Sequence, residues 1–339
     1  MFSAFPYVLL FVCTMFFGTL LSVTSSHWLM AWVGLEVNLM GFLPLLVYHG
    51  TLLESESGVK YFIVQSLGSI FLLGGSLWAF DIALGLKISE SPKFAVLVIM
   101  AGLLIKLGAA PIGHFWVPSV LVGLSWATGM LLVTLQKVAP IFLMSVVVSS
   151  ITSGFLVTAA MLCALIGGLG GMNQTQIRAL LAYSSVNHLS WILLSVLVSE
   201  KALIVYLSIY ILINILTFLA VWNSNIKGSL SLGNPGAMTK EDSFFLLISL
   251  LSLAGLPPLL GFLPKVVVIS FTVSTNVWFS LFPLILGSLF SLFYYLSLSY
   301  SCFIGRSAGG APNISESFSK VSCLCALFNM VGGAALFVL

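Results

Sequence analysis

Apolar runs follow one another almost without pause along this sequence, and a run of about 20 residues is long enough to cross a bilayer as one helix. They lie near 4–23, 28–49, 59–80, 94–124, 126–148, 154–172, 176–198, 202–222, 243–273, 277–303 and 320–338. The polar links between them are short, the longest being 223–242 and 304–319. Only 6% of the residues are charged, against roughly a quarter in a soluble domain. The sequence therefore specifies an all-α membrane protein of about eleven transmembrane helices.

The sparse charge excludes other classes. A net charge of +3 is spread over the links with no basic run to follow a phosphate backbone, so nucleic acid is not expected as a partner. Cys13, Cys163 and Cys302 are isolated in apolar stretches and Cys323 and Cys325 form only a C-x-C, a pattern of buried packing thiols. No G-x-G-x-x-G opens a helix after a strand, no Walker loop occurs, and no cysteine spacing or histidine pair suits an iron-sulfur cluster or haem. This chain is expected to hold no redox centre, metal or cofactor. The N-terminus has neither a basic n-region nor an arginine-rich amphipathic pattern, so it reads as a retained first span.

Two runs, 94–124 and 243–273, are much longer than one crossing. Both are interrupted near the centre, the first by Gly108, Pro111 and Gly113, the second by Gly255, Pro257, Pro258, Gly261 and Pro264. Each reads as two half-helices joined by a non-helical link, the best sequence pointer to a transport site. The interrupted run is fourth in each set of five, and an odd repeat length inverts the second copy. The expected organisation is thus a first five-helix repeat over 1–148, a second, inverted one over 149–303, and a loop with a last helix over 304–339. The alternative is chance placement of glycine and proline.

The charged residues inside the spans carry the chemistry. An ammonium deep in a bilayer costs about 3 kcal/mol on insertion scales, so Lys106, Lys137 and Lys265 call for a hydrated cavity or an acidic partner. Removal from water disfavours their charge, which makes them candidate proton carriers; the alternative is snorkelling to an interface. Glu36, in WLMAWVGLEVNLMGFLPLL, is a matching carboxylate. A Glu and Lys pair can be switched by moving one proton, or can rest as a static strut. His188, near Ser184, Ser185 and Asn187, is a natural relay between lysines or a histidine bonded to a neighbouring helix. His114 has a similar, weaker claim. Lys60 opens its span and Asp81 closes it, as interfacial anchors. Lys60, Arg178, Lys227, Lys240, Arg306 and Lys320 fall on the N-terminal side, against Lys87, Lys93 and Lys201, which places the N-terminus inside by the positive-inside rule.

The runs GLEVNLMGFLPLL, VKYFIVQSLGS, LLIKLGAAPIGHFWVPSVLVGLSW, LLVTLQKVAPIFLM, GGLGGMNQTQIRALLAYSSVNHLSWIL and LLSLAGLPPLLGFLPK, in this order, closely resemble the subunit-2 family of the proton-pumping NADH:ubiquinone oxidoreductase, respiratory complex I. The resemblance covers most of Trp28 to Lys265. It implies an antiporter-like fold of two inverted five-helix repeats, each with a discontinuous helix. It also implies a proton relay in which Glu36 and Lys106 are the pair of the first half, Lys137 the link, Lys265 the residue at the second break and His188 a bridge. NADH, FMN, iron-sulfur clusters and ubiquinone would belong to other subunits. The implied partners are the other membrane-arm subunits and the lipid bilayer, with cardiolipin a candidate lipid. Bacterial relatives carry about three more N-terminal helices, and the shorter form is that encoded in animal mitochondrial genomes. That implies a multi-pass protein of the mitochondrial inner membrane, with its N-terminus in the matrix and its C-terminus in the intermembrane space. The rival expectation is a stand-alone cation/proton antiporter, since antiporter subunits share this fold.

Overall fold

A computed structural model describes residues 6–80, 93–148, 150–223, 240–275, 277–304 and 329. In chain order the helices are α1 Pro6–Thr24, α2 Trp28–Leu46, α3 Leu52–Phe80, α4 Lys93–Leu107, α5 Trp116–Gly123, α6 Trp126–Val133 and α7 Leu135–Val147. They continue as α8 Ser150–Met172, α9 Ile177–Val198, α10 Glu200–Asn223, α11 Lys240–Ala254, α12 Phe262–Ser274 and α13 Leu281–Ile304. Among the described residues 8 helical stretches are long and apolar enough to cross a membrane. Apart from 329, the expected last span, 320–338, lies outside the described residues, as do Asp81, Cys323, Cys325, Lys87, Lys227, Arg306 and Lys320. The chain divides into two compact units, Met1–Cys163 and Ala164–Leu339.

In the first unit α1 and α2 form a close hairpin. A Cβ on Gly18 would stand 2.8 Å from Gly34 O, and one on Gly34 would stand 2.8 Å from Ser22 Cα. Lipid tails are as apolar as the helices, so association depends on such small residues letting backbones approach. The same device joins α3 to α4, where a Cβ on Gly102 would lie 2.9 Å from Gly68 O.

α3 begins earlier than its hydropathy suggests. Thr51 Oγ1 accepts the Glu54 N–H at 3.2 Å, and Glu54 Oε2 accepts the His49 N–H at 3.1 Å. This is the logic of a capping box, T-x-x-E, which satisfies donors a helix start otherwise leaves unmade. The polar turn Glu54–Ser57 is therefore helical, and Lys60 does not open the span as expected. It lies well inside α3, exposed, paired with Glu56 at 2.7 Å.

The long runs break where glycine and proline predict. α4 ends at Leu107 and α11 at Ala254, each followed by a glycine in the left-handed region, Gly108 at φ +72° and Gly255 at φ +78°. An L side chain is strained there, so the helix stops and the link turns away. Each second half-helix restarts on an aromatic residue with proline third, Trp116-Val117-Pro118 and Phe262-Leu263-Pro264. In the first turn the missing proline N–H costs nothing.

A further interruption falls at Thr134, between α6 and α7, with φ −103° and ψ −76°. Pro140, close behind Lys137, does not end its helix, and α7 runs on through it. The proline has no N–H for the Gln136 carbonyl and crowds it, so the irregularity falls one turn upstream, where Thr134 Oγ1 donates to Met130 O at 2.7 Å.

In the second unit α9 is enclosed by α10, α12 and α13. The hydroxyls of Ser184, Ser185, Ser190 and Ser195 on α9 each donate to the carbonyl three residues back. Of the thiols, Cys163 is buried as expected. Cys13 is exposed on α1 and is not a packing thiol, because a span facing lipid buries only one side.

Candidate functional site

In the first unit the break in α4 brings Glu36 and Lys106 together. Lys106 occupies the last turn of α4, and its Nζ lies 3.7 Å from Glu36 Oε1 on α2. The lysine side chain is 3% exposed and the glutamate 25%. The amine is sealed and the carboxylate reaches the surface of the chain, so the snorkelling alternative does not hold for Lys106. Lys106 also sits at the carbonyl end of a helix, where the macrodipole favours a cation.

Ending α4 inside the membrane strands carbonyls that have no helical partner. Gln65 Nε2 of α3 donates to Lys106 O at 3.1 Å, and Trp116 Nε1 of α5 donates to Ile105 O at 3.1 Å. The Ser69 hydroxyl, also on α3, meets the same Glu36 Oε1 that faces the lysine. Gly68 leaves the space through which the lysine stem passes, since a Cβ there would lie 2.8 Å from Lys106 Cγ.

Lys137 lies on α7 and is buried, at 5% exposure. The residue before it, Gln136, exchanges two 3.0 Å hydrogen bonds with Asn38, two residues beyond Glu36 on α2. Tyr61 of α3 donates to Gln136 Oε1 at 3.3 Å. Cys163 is within electrostatic reach of Lys137, and its Sγ accepts the Ala110 N–H at 3.0 Å. A single thiol thus touches the α4–α5 link and stands by the next lysine.

In the second unit Lys265 belongs to the first turn of α12, yet its Nζ reaches back across the break and donates to Ala254 O at 2.6 Å. The ring of Trp191 on α9 covers it, with Nζ 5.9 Å from the centroid. Gly255 makes the approach, since a Cβ there would lie 2.8 Å from Nζ. His188, one turn from Trp191 on α9, is buried with its Nδ1 2.9 Å from the Tyr206 hydroxyl and its ring 5.2 Å from that of Tyr210. His114 sits on the α4–α5 link, with Nδ1 3.2 Å from Pro111 O and its ring 3.7 Å from that of Phe115.

The structure therefore joins Glu36 to Lys106 directly, sets Lys137 beside an amide pair that leads back to the Glu36 helix, and places Lys265 and His188 on neighbouring parts of the second unit. Sequence reasoning passed over Asn38, Tyr61, Gln65, Ser69, Trp116, Gln136 and Trp191. The one available signal was polar spacing in VKYFIVQSLGS, where Tyr61, Gln65 and Ser69 share a helix face. Among the described residues no group of three or more His, Cys, Asp or Glu side chains is placed to hold a metal ion.

A helical membrane bundle with buried lysines at its broken helices belongs with ion-translocating membrane subunits, and the comparisons give that class a family. The chain belongs to the NADH:quinone oxidoreductase/Mrp antiporter transmembrane family, whose family model matches residues 25–291. It is 38% identical to NADH-ubiquinone oxidoreductase chain 2 of Anopheles gambiae over 324 residues, covering 95% of this chain and 94% of that one. The same-named chain of Lemur catta is 38% identical over 305 residues, covering 87% and 86%. Among solved structures it resembles a chain of respiratory complex I from Thermus thermophilus with bound Aureothin, at TM-score 0.83 and 24% identity over 99% of this chain and 78% of that one. It also resembles a chain of the Mrp complex from Dietzia sp. DQ12-45-1b, at TM-score 0.84 and 19% identity over 97% and 75%. Both likenesses are of fold.

Proposed function

We propose that this chain is a proton-translocating membrane-arm subunit of respiratory complex I, in which quinone reduction by other subunits drives protons through Glu36, Lys106, Lys137 and Lys265, with His188 a bridging group. The reading rests above all on the 3.7 Å approach of the Lys106 amine to the Glu36 carboxylate at the end of a broken helix. While the two stay close, each stabilises the charge of the other. Moving one proton switches such a pair, and Lys137 is the next base along the first unit. The chemistry is proton movement alone, with NADH, FMN, iron-sulfur clusters and ubiquinone on other subunits.

Two inverted repeats, 1–148 and 149–303, fit the shared grammar of the breaks, a left-handed glycine followed by an aromatic-x-proline restart. The animal chains to which it is similar support a location in the mitochondrial inner membrane, where its partners would be other membrane-arm subunits and lipid such as cardiolipin. The distribution of lysine and arginine supports an N-terminus in the matrix and a C-terminus in the intermembrane space. Lys137→Met in the assembled complex is the direct test. Proton pumping should be lost while assembly is kept, and an unchanged ratio of protons to NADH oxidised would sink the reading. The fold shared with the Mrp chain supports a second one, a stand-alone cation/proton antiporter. That reading requires ion exchange by the purified chain in vesicles.

A further inference from the structure

Tyr61, Gln65 and Ser69 recur at every fourth residue of α3, so they form one stripe along its inner face. All three are buried, at 2%, 6% and 6% exposure, while Phe62, Ile63 and Leu67 between them are exposed. Each touches a different part of the first-unit site. Tyr61 donates to Gln136, the neighbour of Lys137; Gln65 donates to the Lys106 carbonyl; Ser69 meets the Glu36 carboxylate. No ionisable relay group stands on this face of α3, and yet it contacts the surroundings of three of them.

We propose that the Tyr61–Gln65–Ser69 stripe of α3 is the positioning element of the relay, holding Glu36, the end of α4 that bears Lys106, and the Gln136–Lys137 step of α7 in register through groups that stay neutral throughout the cycle. The proposal rests on the relay reading above. Neutral groups suit this task because their hydrogen bonds survive when the relay residues change charge. Ser69 shows why a hydroxyl is needed. Its Oγ meets Glu36 Oε1 and also lies 3.0 Å from Gln65 O, and one hydroxyl has one proton and two lone pairs. When Glu36 is ionised, Ser69 donates to the carboxylate. When Glu36 holds a proton, the acid donates to Ser69 Oγ and the serine proton turns to Gln65 O. The same residue satisfies both states with no change in backbone position.

The experiment uses the intact complex with Ser69→Ala, Ser69→Thr, Tyr61→Phe and Lys137→Met, each checked for assembly by native mobility. Losing one hydrogen bond to a charged group should lower proton pumping in Ser69→Ala about tenfold. Threonine, which keeps the hydroxyl, should restore it. Tyr61→Phe keeps the ring packed on Phe42 and Trp116 and should lose about threefold, the effect of one neutral hydrogen bond. Parental pumping in Ser69→Ala would overturn the proposal, and so would equal impairment of the alanine and threonine variants, since packing alone would then be at fault. If Lys137→Met pumps at full stoichiometry, the relay reading has failed and the proposal goes with it. If Lys137→Met is inactive while Ser69→Ala is not, only the proposal fails.

Discussion

The Lys265 amine donates its 2.6 Å hydrogen bond to the carbonyl of Ala254, the last residue of α11, from a position on the far side of the break. Lys106 stands before its break and Lys265 after it, yet both are associated with the carbonyl end of the leading half-helix, where a cation is favoured. The two breaks share a placement of charge that their numbering hides.

Gly255→Ala tests how closely that placement depends on the link. The new methyl would lie 2.8 Å from Nζ, at a residue with φ +78°. Such strain costs on the order of 1–3 kcal/mol, and the amine must also leave Ala254 O. A lower thermal midpoint and a loss of pumping are expected together. Gly74→Ala on α3, where nothing lies within 4 Å, is the control and should leave both unchanged.

The Asn38–Gln136 amide pair makes a prediction of non-additivity. Gln136→Leu leaves the Asn38 amide buried with both of its hydrogen bonds to Gln136 lost, at about 1–3 kcal/mol. Asn38→Leu with Gln136→Leu removes both polar groups and should cost less than the worse single change. Thermal melts of the four combinations form the cycle that checks this. Simple additivity would mean that the two amides act independently.

Much of this was legible in the sequence, and the limits are physical. Glu36, Lys106, Lys137 and Lys265 could be read because a charge in an apolar run is conspicuous on energetic grounds alone. The breaks could be read because Gly108 and Gly255 are followed by proline-bearing links. The start of α3 could not be read from hydropathy, since capping by Thr51 and Glu54 makes a polar turn helical. Neither could the partners of the lysines. Gln65 and Trp116 are ordinary residues until a broken helix presents its carbonyls to them, and the Asn38–Gln136 pair joins positions 98 residues apart. Nor could the hydrogen bond between His188 and Tyr206 be read, since it joins two helices.

Lys60 and Lys106 are both lysines near a glutamate, and their replacement should have opposite consequences. The Lys60–Glu56 pair is exposed on both sides, at 45% and 62%, and exposed pairs contribute little because water and salt screen them. Lys60→Ala should leave assembly, melting and pumping at parental values. A large loss of stability would show that another subunit covers this pair in the complex.

The Glu36–Lys106 pair distinguishes a working relay from a strut. A strut stabilises the bundle, so removing either partner should strand a charge and cost about 3–5 kcal/mol, enough to impair assembly. A relay pair is built to part, and Glu36 keeps enough exposure, 25%, to tolerate separation. Lys106→Met and Glu36→Gln should each give an assembled complex that no longer pumps through this unit. The double variant should pump no worse than either single one, because one broken step already interrupts the path. The cycle computed from melting should give a coupling of about 0.5–3 kcal/mol, the range for residues in contact. If the single variants instead fail to assemble and the double variant recovers, the pair is a strut, and the proton path must run elsewhere.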